Sequence, residues 1–117
     1  EHFADAFEQN IKKREQEKKF DSYSFFDEEL TAYLIGNRKK IMLVRALNLG
    51  MNSFDAKLRS LFKREYAKTL NVSENAFTIY LVVNLAMSNI DFILEKQRIP
   101  SKKELKKGLI KIEEYLS

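Results

Sequence analysis

The chain has 117 residues but no cysteine, one histidine, one proline and three glycines. Without cysteine there is no disulfide framework, no thiolate nucleophile and no sulfur-ligated metal site. The lone histidine, His2, cannot supply the Glu-x-x-His pair that di-iron helical bundles place on two of their helices. It also restricts nucleophile-base pairs to serine, lysine or carboxylate types. The adjacent carboxylates Glu28 with Glu29 and Glu113 with Glu114 leave a helix in different directions, which makes them solvated charge rather than an acid-base pair. No catalytic residue, metal or cofactor is expected, and the chain is not read as an enzyme.

Also lacking is any uninterrupted apolar run of about 20 residues, the length a bilayer span requires. The longest candidate, Ala76 to Pro100, is broken by Asn84, Asn89 and Asp91. The chain starts at Glu1 with neither an initiator methionine nor a basic start leading into an apolar stretch, so no signal peptide is expected. These absences, with the missing cysteines, favour a cytoplasmic protein.

What is present suits one globular domain over 1–117, with 44% hydrophobic and 32% charged residues. The net charge of +4 is unevenly placed: 5 Lys/Arg against 9 Asp/Glu in residues 1–36, 9 against 2 in 37–71, and 7 against 6 in the rest. A basic middle can attract nucleic acid if Arg38, Lys39, Arg59, Lys63 and Arg64 share a face. Lys63 and Arg64 diverge by about 100° on a helix, however, and a solvated face is the simpler explanation.

With glycine and proline so sparse, each marks a place where a helical period stops or restarts, and the chain reads as an all-α antiparallel bundle of about six helices. Phe3, Phe7, Ile11 and the stem of Arg14 trace a first helix that fades near Phe20. Ser24 caps a second, with Asp27, Glu28 and Glu29 favouring its N-terminal dipole and Phe26, Leu30, Tyr33 and Leu34 facing inward. A left-handed Gly36 ends it and Asn37 caps a third, which buries Ile41, Val44 and Leu47 and runs towards Gly50. Asn52 or Ser53 starts a fourth, with Asp55 in its first turn and Phe54, Leu58, Leu61, Phe62 and Tyr66 as its stripe. Ser73 caps the fifth, which Ile99 and Pro100 end. Ser101 to Glu104 has the form of a capping box, and Leu105, Leu109, Ile112 and Leu116 follow at the spacing of a last amphipathic helix.

The fifth helix is apolar on two sides, which calls for two sets of neighbours. Ile79, Val82, Val83, Ala86, Ile90 and Ile93 line one side. With Leu105, Leu109, Ile112 and Leu116 they form the expected interface of a homodimer. The other side carries Tyr80, Asn84, Met87, Ser88 and Asp91 in line. Buried polar groups need partners, so these residues either bond to neighbouring helices or, with Tyr33 and Phe62, line a cavity for a mostly apolar small molecule.

The whole chain resembles the C-terminal regulatory domain of bacterial transcriptional regulators of the TetR/AcrR family. Residues 1–19, "EHFADAFEQNIKKREQEKK", are similar to the connecting helix after the DNA-binding head. "FFDEELTAYLIGNRKKIMLV" resembles the segment where one helix ends at Asn-Arg and the next begins, and "SFDAKLRSLFKREY" the helix after it. The last two helices, closing in "PSKKELKKGLIKIEEYL", are similar to the dimerising pair. The resemblance implies a homodimer in which a small-molecule effector shifts the spacing of two DNA-binding heads. The helix-turn-helix head has no counterpart in this chain, so contact with DNA would belong to an N-terminal head outside it. The alternatives are a helical protein-protein interaction domain without a ligand and a basic nucleic-acid-binding module.

Overall fold

A computed structural model describes residues 6–9, 12–13, 26, 28–47 and 54–117. Among them there is no strand, and the fold is an all-α bundle. Residues 6–9 and 12–13 are helical, in the place of the expected first helix. The helices that follow are α1 (Glu28–Gly36), α2 (Arg38–Leu47), α3 (Phe54–Leu70), α4 (Phe77–Lys96) and α5 (Lys102–Leu116). Phe3, Ile11, Arg14, Phe20, Ser24, Asp27, Gly50, Asn52, Ser53 and the side chain of Leu47 lie outside the described residues.

Local chemistry explains most of the helix ends. Glu28 and Glu29 stand in the first turn of α1 and Asp55 in that of α3, where the positive end of the macrodipole favours them. The corner between α1 and α2 departs from expectation, because Gly36 is not left-handed. Asn37 instead continues the helical bonding, its N–H donating to the Tyr33 carbonyl (3.0 Å) and its own carbonyl accepting from Ile41 N–H (2.9 Å). Its Nδ2 donates to the Tyr33 carbonyl as well, at 2.8 Å.

Among the described residues the left-handed ones are Asn71, beyond α3, and Gln97, at the end of α4. Asn is one of the few residues that adopt this conformation readily. Ser73 does not cap α4. Its hydroxyl accepts from Asn75 N–H (3.1 Å), closing a turn, and Ala76 takes the N-cap position with no side-chain bond. Ser101 does cap α5: its hydroxyl accepts from Glu104 N–H (3.0 Å), and Glu104 reaches back to Ser101 N–H (2.9 Å).

α4 packs along α3 and against α1, and α2 touches α1 and α3. The interior holds an aromatic group in which Phe7 meets Phe26 and Phe62 edge-on, with ring centroids 5.3 and 5.6 Å apart, and Phe62 tilts against Tyr66 at 5.8 Å. Such pairs add about 0.5–1.5 kcal/mol beyond the area they bury. Around them lie Leu30, Leu34, Ile41, Leu58, Leu61 and the inward side of α4. By length and composition α4 is the one described helix long and apolar enough to cross a membrane, with a mean hydropathy of 1.6, so its polar residues do not break the run as expected. That hydropathy comes largely from core residues: Ile79, Val83, Ala86, Ile90, Ile93 and Leu94 are all buried.

Candidate functional site

The side of α4 expected to meet a second copy is covered within one chain. Ile79, Val83, Ala86, Ile90 and Ile93 are buried and Val82 packs half-buried against them, because α3 and α1 flank α4 there. The expectation that a second subunit covers this side is corrected accordingly.

Tyr80, Asn84, Ser88 and Asp91 lie on the outward side of α4, and each is answered by a partner in the same chain. Lys63 Nζ lies over the Tyr80 ring, 5.0 Å from its centroid, and Arg59 Nη1 donates to Asn84 Oδ1 at 2.7 Å. Four residues back along α3 thus matches four residues on along α4, as it must for two antiparallel helices lying side by side. Further along, Arg45 of α2 forks onto Asp55 of α3 (2.8 and 2.9 Å) and reaches Asp91 of α4 (2.8 Å), tying three helices together. Partial burial works against the Arg45 charge, but hydrogen bonds to Asp55 and Asp91 outweigh it and its pKa is raised. Ser88 Oγ donates to the Asn84 carbonyl and buried Asn89 Nδ2 to the Leu85 carbonyl, both at 2.8 Å, the usual local outlet for short polar side chains inside a helix.

The seven residues expected to line a cavity therefore separate. Phe62 and Met87 belong to the core, Tyr33 is half-buried at its edge, and Tyr80, Asn84, Ser88 and Asp91 face outward. Of the five basic residues singled out in the middle segment, Arg38, Arg59, Lys63 and Arg64 are engaged within the chain, while Lys39 is exposed. Arg38 donates to the Leu94 carbonyl near the end of α4, and Arg64 meets Glu8 (3.5 Å) and Glu65 (3.4 Å). Glu65, not singled out in the sequence, is 4% exposed and is held by Lys68 (3.2 Å) as well as Arg64. Its signal was a carboxylate four residues after Leu61, in the middle of the buried stripe, with a cation on either side.

Two apolar surfaces stay open among the described residues: Phe77, Tyr80 and Leu81 at the start of α4, and α5, none of whose residues is buried. Leu105 and Leu109 are half-covered, while Ile112 is 57% and Leu116 is 75% exposed. The half-buried apolar residues packed on the core lie elsewhere in the chain, Ile99 being the last of them. The turn that leads into α5 is closed by bonds at both of its ends. Gln97 closes α4 with its N–H on the Ile93 carbonyl (2.8 Å), and Arg98 forks onto Glu104 (2.7 and 3.0 Å) across the turn. That fork and the bonds to Ser101 hold the Glu104 carboxyl down at about 2, against an ordinary value of 4.5.

No protein-family model, curated protein or solved structure matches the chain. The candidate site is accordingly defined by geometry alone: an amphipathic helix with a capped start whose apolar stripe is only partly covered by the described residues.

Proposed function

We propose that the chain is an association domain, the dimerising half of a regulator of the TetR/AcrR type, and that α5 is the element through which it associates. The observation that carries this is the contrast between the two ends of the helical stripe pattern. The stripes of α1 and α3 and the inward side of α4 end in the core, whereas Leu105, Leu109, Ile112 and Leu116 form a stripe just as regular that is half-covered at its first two positions and exposed at its last two; it is longer than the other exposed apolar row among the described residues, Phe77, Tyr80 and Leu81. A fully buried leucine or isoleucine contributes roughly 1.5–3 kcal/mol, so a row of four left half-covered or exposed favours any partner able to cover it.

The order of helices, with the longest, α4, followed by an amphipathic last helix, supports the regulator reading. A head that binds DNA would supply the output, and association would set the distance between two heads. The reading does not require an enclosed effector cavity.

The test is the mass of the 117-residue chain in solution. Light scattering should give values above 13.8 kDa that rise with concentration. The doubly substituted Leu109→Asp, Ile112→Asp chain should return to 13.8 kDa with its helical circular dichroism intact. A wild-type chain that stays monomeric at several hundred micromolar would overturn the proposal.

A further inference from the structure

We infer that the partner of α5 is a second copy of α5 lying antiparallel, in the one register that its apolar, charged and small residues jointly select. This rests on the association reading above and adds to it the identity, direction and alignment of the partner. Leu105, Leu109, Ile112 and Leu116 are spaced four, three and four residues apart, a seam that reads the same in both directions. Two copies aligned head to tail place Leu105 beside Leu116 of the second copy and Leu109 beside its Ile112.

The flanks decide between directions. In this antiparallel alignment the residues beside the seam on one edge are Lys106 and Glu113 of the second copy, opposite in charge and repeated twice by symmetry. On the other edge Gly108 faces Tyr115 of the second copy. Tyr115 is 87% exposed, the most exposed large apolar side chain among the described residues. Gly108 is exposed in mid-helix, and a Cβ there would meet nothing within 4 Å in its own chain. Glycine is a poor helix former, and nothing within one chain calls for it at that position. Space for the partner's tyrosine ring accounts for it. A parallel alignment would set Gly108 against Glu113 of the second copy, and it forms neither complementary pair.

A pair of 15-residue helices is a small interface, so the affinity should be roughly micromolar or weaker. Because the chain has no cysteine, the register can be read directly by oxidation. In the antiparallel pair, Leu105 of one copy and Leu105 of the other lie ~16 Å apart, too far for a disulfide. The Leu105→Cys and Leu116→Cys chains should therefore each stay uncrosslinked alone and yield a disulfide-linked dimer when mixed. In the same register Lys106→Glu and Glu113→Lys should each weaken the dimer roughly fivefold, and the chain carrying both should recover wild-type affinity. Crosslinking of either cysteine chain with itself would overturn the register. So would a mixture that forms no disulfide while the wild type is dimeric, or a double charge exchange that fails to recover; association itself would still stand. A wild-type chain that is monomeric at all concentrations would remove both.

Discussion

Ile90 and Ile112 offer the same side chain on two consecutive helices in opposite surroundings, and truncating each to alanine separates a core position from an uncovered one. Ile90 is 0% exposed, on the side of α4 that packs on its own chain, whereas Ile112 is 57% exposed. Ile90→Ala removes three buried carbons and leaves a cavity between packed helices, a loss of about 2–5 kcal/mol. A domain of this length has a total stability of roughly 6–17 kcal/mol, so the variant loses a large share of it. At about 4 °C per kcal/mol the midpoint should fall by ~8–20 °C. Ile112→Ala creates no cavity in the monomer, and alanine is the better helix former, so its stability should stay within about 0.5 kcal/mol of wild type. The assays are urea unfolding for the free energy and thermal unfolding for the midpoint, both followed by helical circular dichroism at a concentration low enough to keep the chain monomeric. An Ile90→Ala loss below about 1 kcal/mol, or an Ile112→Ala loss as large as that of Ile90→Ala, would refute the assignment of inner and outer helices.

Gly108→Leu should move two properties in opposite directions. Helix content in the dilute chain rises because glycine is replaced by a good helix former, while association measured by sedimentation weakens because the space for Tyr115 of the second copy is filled. Arg45→Met removes the fork that joins Asp55 and Asp91 and leaves two carboxylates close together. A destabilisation of about 1 kcal/mol is expected, smaller in 1 M salt because the groups are partly exposed; an effect indifferent to salt would point to packing instead. Glu104 should titrate well below its ordinary value of 4.5, towards about 2, when followed by carboxyl NMR. Its folded-state value is the lower one, so the tie to Arg98 and Ser101 stabilises the start of α5 above pH 4.5 and is lost as the pH falls from there towards about 2. Titration at 4.5 would show that the turn is open in solution.

The fold was legible wherever burial repeats at the helical period. Phe54, Leu58, Leu61, Phe62 and Tyr66 stand out as one stripe and are all buried, and the Ser101 to Glu104 box forms as its letters say. Periodicity, however, identifies an apolar face without saying what covers it. For that reason Ile79 to Ile93 could be expected at a dimer contact, although α1 and α3 already enclose them. The polar residues of α4 were visible as interruptions, but their partners Arg45, Arg59 and Lys63 come from 17 to 46 residues earlier in the chain. Only the antiparallel placement of α3 brings two of them within reach. Ser73 and Gly36 depart from the expected helix ends for a related reason. Several residues in each loop can end a helix, and the choice is made by backbone bonds, as at Asn37 and Ala76, that leave little trace in composition.

The central claim is that the aliphatic side of α4 is covered by its own chain and the stripe of α5 by another. Amide hydrogen exchange over a range of protein concentrations tests both halves at once. Amides of 79–94 should be strongly protected at every concentration, whereas those of 105–116 should exchange rapidly in dilute solution and become protected as the concentration rises. Protection of 105–116 that is already complete at the lowest concentration would place α5 against its own bundle, and protection that never develops would leave it without a second copy; either result contradicts the account.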